Sequence, residues 1–115
     1  MILTFNMFGM PYETEDKIRK TFLLNKQINP EVSIPFVYQI FPKTTLGEIA
    51  IKNGMAPPLI EGRWDYCTPS LDTKELPAEK VTILVDEFRG MFCNEQKVDN
   101  FYKKLRIHCN QDYAS

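Results

Sequence analysis

The residue types that ordinarily do chemistry are few in this sequence and stand far apart. Its single histidine, His108, precedes Cys109 beside the polar end "NQDYAS". Such a pair offers two metal ligands, which is short of a site; the other reading is a surface histidine on the last helical turn. Cys67, Cys93 and Cys109 are 26 and 16 positions apart, a spacing of neither a disulfide framework nor a CxxC redox or zinc motif. Ser33 and Ser70 have no histidine at motif spacing, so nucleophilic hydrolysis lacks a base. The run "YETED" (12–16) holds three carboxylates that could share acid–base work, and the same residues suit the positive end of a helix dipole. Trp64, Asp65 and Tyr66 either reach a site or pin a long loop. Lys43 either meets an acidic substrate or is a solvated loop lysine.

Composition narrows the classes of function. The 115 residues make one domain's worth of chain, with 14 basic residues against 15 acidic ones. Lys and Arg do not cluster among aromatics, which argues against a nucleic-acid partner. The apolar runs "MILTFNMFGM" and "VSIPFVYQIF" are too short to span a bilayer, and the first lacks the basic flank of a signal peptide. A cytoplasmic protein without membrane partners is the expectation.

The patterning predicts the elements that must position any site. Residues 2–8, "ILTFNMF", read as a strand stopped by Gly9-Met10-Pro11. A helix follows from Thr14 to about Ile28, with Thr14 as N-cap and Ile18, Phe22 and Ile28 near one face, Leu24 beside them. Acid-to-base pairs four apart, Glu13–Lys17, Glu15–Arg19 and Asp16–Lys20, mark its solvent face. Asn29-Pro30 ends it, because the residue before proline is pushed out of the α region.

A second strand is expected over about 32–41, and strand–helix–strand implies parallel strands with a crossover. Then "TLGE" reads as a capping box, Thr45 at N-cap and Glu48 at N3, with Leu46, Ile49 and Ala50 inward and Asn53-Gly54 closing the helix. Residues 55–76 form an irregular loop with Pro57, Pro58 and Pro69. Pro77 suits the first position of a helix. Its stripe is Val81, Leu84, Val85, Phe88, Met91 and Phe92, with a bend expected at Gly90. A second segment carrying Val98, Phe101, Tyr102 and Leu105 runs to about Ile107.

In parallel α/β folds a site lies beyond the carboxyl ends of the strands. Here those ends are Phe8-Gly9-Met10-Pro11 and residues 39–44. A phosphate cradle does not suit the first, where one glycine meets Glu13, Glu15 and Asp16. A flat, neutral ligand held by backbone and apolar groups fits better. "SIPF" (33–36) resembles the Ile-cis-Pro segment of thioredoxin-like domains, yet those carry a cysteine motif after the first strand, where this chain has "GMPYET".

The two strand ends together resemble the C-terminal half of a radical SAM domain, more narrowly that of the cobalamin-binding radical SAM enzymes (Fe–S oxidoreductases). In that family the fifth barrel strand ends in a Gly-x-Pro-x-Glu-Thr turn, matched here by Gly9, Pro11, Glu13 and Thr14. The sixth runs into a Pro-Gly-Thr turn and a helix like "LAEIALKEG". This chain has "IFPKTTLGEIAIKNG", with Pro42, Thr44, Leu46, Glu48, Ile49, Ala50 and Gly54 in step and Lys43 in place of the turn glycine.

The resemblance covers residues 1 to about 54. It implies an α/β fold, a partial TIM-barrel-like βαβ unit (strands five and six), followed by an irregular loop (55–76) and a C-terminal helical segment (77–115). It also implies that the chain is a C-terminal piece of a larger enzyme, since the CxxxCxxC motif that holds the [4Fe–4S] cluster is absent. The whole enzyme would use that cluster, S-adenosylmethionine and, in this subgroup, cobalamin. The piece alone would bind no cofactor and catalyse nothing. Met7, Phe8 and Gly9 at one strand end and Val37, Tyr38 and Gln39 at the other would touch the adenine through apolar side chains and backbone groups. The missing half of the barrel, or another copy of the chain, is the expected partner, with a homo-oligomer for the isolated chain. A small non-catalytic α/β interaction module is the alternative function.

Overall fold

A computed structural model of the protein describes residues 1–41, 43–55 and 68–114, with side chains as far as Arg106. Two strands and four helices follow in the order β1 (Leu3–Phe8), α1 (Glu15–Ile28), β2 (Val32–Val37), α2 (Thr45–Lys52), α3 (Ala78–Phe92) and α4 (Glu95–Ala114). The strands are parallel and adjacent, in register from Leu3 opposite Val32 to Phe8 opposite Val37. This is an α/β arrangement with a two-stranded parallel sheet.

β2 is shorter than the 32–41 expected. Beyond Phe8 the first strand turns away at Gly9 (φ 81°), and pairing stops with the hydrogen bond from Tyr38 N–H to Phe8 O at 2.8 Å. Residues 38–41 are extended in composition and have no strand to lie against among the described residues.

The alternation of β1 splits the sheet into two unlike faces. Thr4, Asn6 and Phe8 look toward the helices. Leu3, Phe5 and Met7 look the other way, where Phe5 stacks on Phe36 with ring centroids 5.6 Å apart. On the helix side, Phe8, Phe22, Phe88 and Phe92 meet largely edge to face, at 5.0 Å for Phe8–Phe88, 5.2 Å for Phe22–Phe88 and 4.7 Å for the more tilted Phe88–Phe92. With Ile18, Val37, Leu76, Val81, Leu84 and Val85 they form the main core, so α3 shares one core with β1, α1 and β2. A second cluster, Tyr38, Ile40, Ala50 and Leu71 with Met10 and Met55 against it, lies past the strand ends.

Several helix ends fall one residue from their expected positions. Thr14 caps α1, its hydroxyl accepting from Lys17 N–H at 3.4 Å, as its sequence implies. α2 is capped by Thr44, not Thr45: Thr44 Oγ1 accepts from Gly47 N–H at 3.1 Å. That rotation leaves Leu46 outside at 42% exposure and puts Gly47 inside with Ala50. A Cβ at Gly47 would stand 2.1 Å from Phe41 O, so only glycine lets α2 lie on the preceding loop. At its other end, Gly54 N–H donates to Ile51 O and Met55 N–H to Ala50 O, closing the helix with Gly54 at φ 65°.

Pro77 precedes α3 instead of opening it, and Asp72 Oδ1 accepts from Ala78 N–H at 2.9 Å. α3 continues through Gly90 without interruption. The break comes at Cys93 and Asn94, where Asn94 Oδ1 caps α4 by accepting from Lys97 N–H at 2.9 Å. Of the three acid–base pairs on α1, Glu15–Arg19 forms at 3.7 Å, and Arg19 makes its closer pair with Glu87 on α3 at 2.7 Å.

Asn25 fixes α1 over the strands. It is almost wholly buried, as is Ser33 of β2. Its Nδ2 donates to Asn6 Oδ1 at 3.0 Å and to Thr21 O at 2.9 Å, and its Oδ1 lies 3.0 Å from Ser33 Oγ and 2.8 Å from Thr4 Oγ1. Asn6 Nδ2 donates to Ser33 Oγ at 2.6 Å. Asn25→Ala strands these partners under a helix. The expected loss is about 2 kcal/mol, seen as a lower urea midpoint with an unchanged slope. A loss within experimental error would show that the cluster contributes nothing net.

Candidate functional site

The candidate site is the surface past the carboxyl ends of β1 and β2. The turn after β1 is built by the spacing Gly9-x-Pro11-x-Glu13-Thr14. Gly9 is buried with φ 81°, and a Cβ there would approach Val81 Cγ1 of α3 to 3.3 Å. Pro11 is buried. Glu13 reaches back so that its carboxylate accepts Gly9 N–H at 2.6 Å, while its own N–H donates to Met10 O at 3.1 Å. Lys17, its expected helical partner, gives Nζ to Tyr12 O at 3.2 Å. Burial pushes the Glu13 carboxyl above its ordinary value, and hydrogen bonds from the Gly9 and Met10 backbone and the nearby Lys17 charge offset part of that rise. Sequence reasoning gave Glu13 a place in the motif and missed this contact, which a Gly–Glu spacing of four signals.

The turn after β2 carries Lys43 at φ 72°, a left-handed backbone that an L-residue enters at a cost. Thr44 holds the turn from the far side, with Oγ1 2.6 Å from Phe41 O and N–H donating to the same oxygen at 3.2 Å.

The six residues expected at the site have different fates. Met7 projects from the face away from α1 and is 51% exposed. Phe8 and Val37 are buried in the main core, so only their backbone faces the strand ends. Gly9 N–H is taken by Glu13. Tyr38 is buried in the second cluster; its carbonyl accepts from Ser70 Oγ at 2.7 Å, and its hydroxyl has no hydrogen-bond partner among the described residues. Burial also raises the Tyr38 phenol above its usual value. Gln39 Nε2 donates to Thr68 O at 2.9 Å and to Val37 O at 3.3 Å. The fold thus brings both triplets to one end of the sheet. Most of the backbone groups there already have partners within the chain.

Trp64, Asp65, Tyr66 and Cys67 lie outside the described residues, as do the His108 and Cys109 side chains. Among the described residues no three His, Cys, Asp or Glu side chains gather to hold a metal, and no helix is long and apolar enough to cross a membrane. All described peptide bonds are trans, Ile34–Pro35 included, unlike the thioredoxin-like segment that "SIPF" resembles. A groove of about 370 Å³ lies at the opposite end of the sheet, lined by Glu31, Lys97, Asn100, Lys103 and Lys104. Lys104 pairs with Glu31 across it at 3.5 Å, Lys103 pairs with Asp99 beside it at 3.3 Å, and it holds none of the expected site residues. No family model, curated protein or solved structure matches the chain.

Two substitutions test the turns. Lys43→Gly relieves the left-handed strain at the cost of a freer unfolded chain, for a net gain of about 0.5 kcal/mol by thermal or urea denaturation. Glu13→Gln removes a carboxyl whose folded pKa is raised. Such a group stabilises below its ordinary value of 4.5 and loses that contribution as pH climbs through the raised folded value. The variant should therefore gain on the wild type as pH climbs from 4.5 through the raised folded value, and the gain should level off above it. A pH-independent difference would refute the raised value.

Proposed function

We propose that this chain is the fifth-and-sixth-strand portion of a radical SAM iron–sulfur enzyme of the cobalamin-binding type, supplying one wall of the S-adenosylmethionine site and not catalytic alone. The observation that carries this reading is the work done by the motif residues at the strand ends. In "GMPYET" the glycine takes a left-handed turn, the proline is buried, the glutamate ties off the glycine N–H and the threonine caps α1. In "PKTT" the lysine adopts the conformation natural to the glycine it replaces. Two adjacent parallel strands joined through a helix, with α1 and α3 on one face, are also what consecutive strands of such a barrel would present.

The described residues do not fit the iron–sulfur cluster, for which they offer Cys93 alone as a thiolate. The cluster would have to be held by a part of the enzyme other than these residues. For the adenine, the chain offers the Met7 side chain and the apolar surface of the strand ends rather than free backbone donors.

A second reading, a non-catalytic α/β interaction module, is favoured by the exposed apolar side chains beside β1, Phe5 at 61% and Met7 at 51%. Two measurements separate the readings. Anaerobic reconstitution with iron and sulfide should leave no stable four-iron cluster on this chain, and the genomic DNA upstream of the Met1 codon should encode an in-frame CxxxCxxC. A clean start site with a ribosome-binding sequence upstream would favour the module. A stable cluster on the isolated chain would overturn the claim that it is not competent by itself.

A further inference from the structure

We propose that the outer edge of β1 is a self-association edge. Two copies of the chain would join β1 to β1 antiparallel across a two-fold axis, making one four-stranded sheet with the two α1 helices side by side above it. The occupant of the edge is a second copy of this chain.

The edge itself is the first reason. Among the described residues the sheet has only β1 and β2, and no strand lies on β1's far side. Edge strands normally carry a lysine, a proline, another charge or a bulge that discourages pairing. β2 has such a device in Pro35. β1, "LTFNMF", has none, and its register against β2 is unbroken through all six residues.

The helix above the edge is the second. α1 lies against β1, while α3 lies against β2 and meets α1 through Phe22 with Phe88 and Arg19 with Glu87. At 100° per residue, Ile18, Phe22 and Asn25 point to the sheet and Arg19 to α3. The flank turned away from α3, over the open edge, then holds Leu24 and Ile28, which are 53% and 39% exposed. α1 leaves three apolar side chains exposed, and of these Leu23, at 58%, faces away from this flank while Leu24 and Ile28 lie on it. A two-fold axis normal to the sheet brings the same flank of a second α1 against them, with the helix dipoles antiparallel.

Area is the third. Along the β1 edge, Leu24 and Ile28 on the α1 face and Phe5 and Met7 on the opposite face, with Ile2 at the strand's start, together present on the order of 400 Å² of apolar surface. A standard interface takes roughly 800 Å² per partner, and the paired strand backbones with the polar side chains around the flank make up the difference. The sum is that of a standard-size interface. The dimer is one of the 115-residue chain by itself and does not rest on the cofactor reading, under which the same edge would take the preceding barrel strand.

Light scattering coupled to gel filtration on the 115-residue chain tests it, at concentrations up to about 100 µM. The expected mass is twice the 13.4 kDa of the protomer. Leu24→Lys with Ile28→Lys, and separately Phe5→Lys, should each raise the dissociation constant at least tenfold with the circular dichroism spectrum unchanged. Leu23→Lys with Ile83→Lys, equally exposed but away from the edge, should leave it as it was. Backbone amides of β1 should exchange more slowly as concentration rises, and those of α3 should not. A monomer throughout, or a dimer broken by the control pair and untouched by the edge variants, overturns the proposal. The upstream-DNA and cluster experiments report on the function separately.

Discussion

The structure depends on how α1 is held over two short parallel strands. A helix laid on an apolar surface can slide or roll by one residue with modest loss, since hydrophobic contact has no direction. Asn25 removes that freedom. Its amide has its donors and acceptor committed to Asn6, Ser33, Thr4 and the Thr21 carbonyl, and a one-residue roll of α1 would strand four buried or half-buried polar groups at once. The neighbouring phenylalanines supply most of the apolar burial, and the polar cluster decides which of the possible packings they adopt.

That registration is what sets the strand ends. With α1 fixed, Thr14 must start the helix where it does, and the chain has only the five residues between Phe8 and Thr14 in which to leave the sheet, turn and rise. Gly9 in the left-handed region and Glu13 returning to the Gly9 N–H accomplish it. β2 is released one residue past its partner's end, and Tyr38 drops into a separate apolar cluster under α2. The candidate site is thus a consequence of the core. Its backbone geometry is dictated by a helix docked on one face of the sheet.

The same registration gives the sheet its asymmetry. α1 and α3 cover one face and leave Phe5 and Met7 exposed on the other, with Leu24 and Ile28 turned toward the open edge. An α/β chain normally covers both faces of a parallel sheet. Among the described residues α1 and α3 cover one face alone, and Phe5, Met7, Leu24 and Ile28 stand at the uncovered boundary.

The sequence by itself determined the kinds of element and their order, because those follow from local signals: two β-rich runs, the 3.6-residue stripes, Thr14, Asn29-Pro30 and Gly54. It also determined that the strands run parallel, since a helix between them forces the crossover. Only the tertiary structure decided the rest. β2 stops at Val37 because its partner turns away, a fact of pairing that β propensity does not contain. The cap moves from Thr45 to Thr44 because Gly47 must pass within reach of Phe41 O, and two adjacent threonines look alike until that contact exists. Phe8 and Val37 point into the core while Met7 points out, an alternation whose phase is set by which face α1 covers. Glu13 binds a backbone amide instead of Lys17 because the turn brings Gly9 nearer than the next helical turn. Each of these depends on what a residue meets across space, and local spacing carries no record of that.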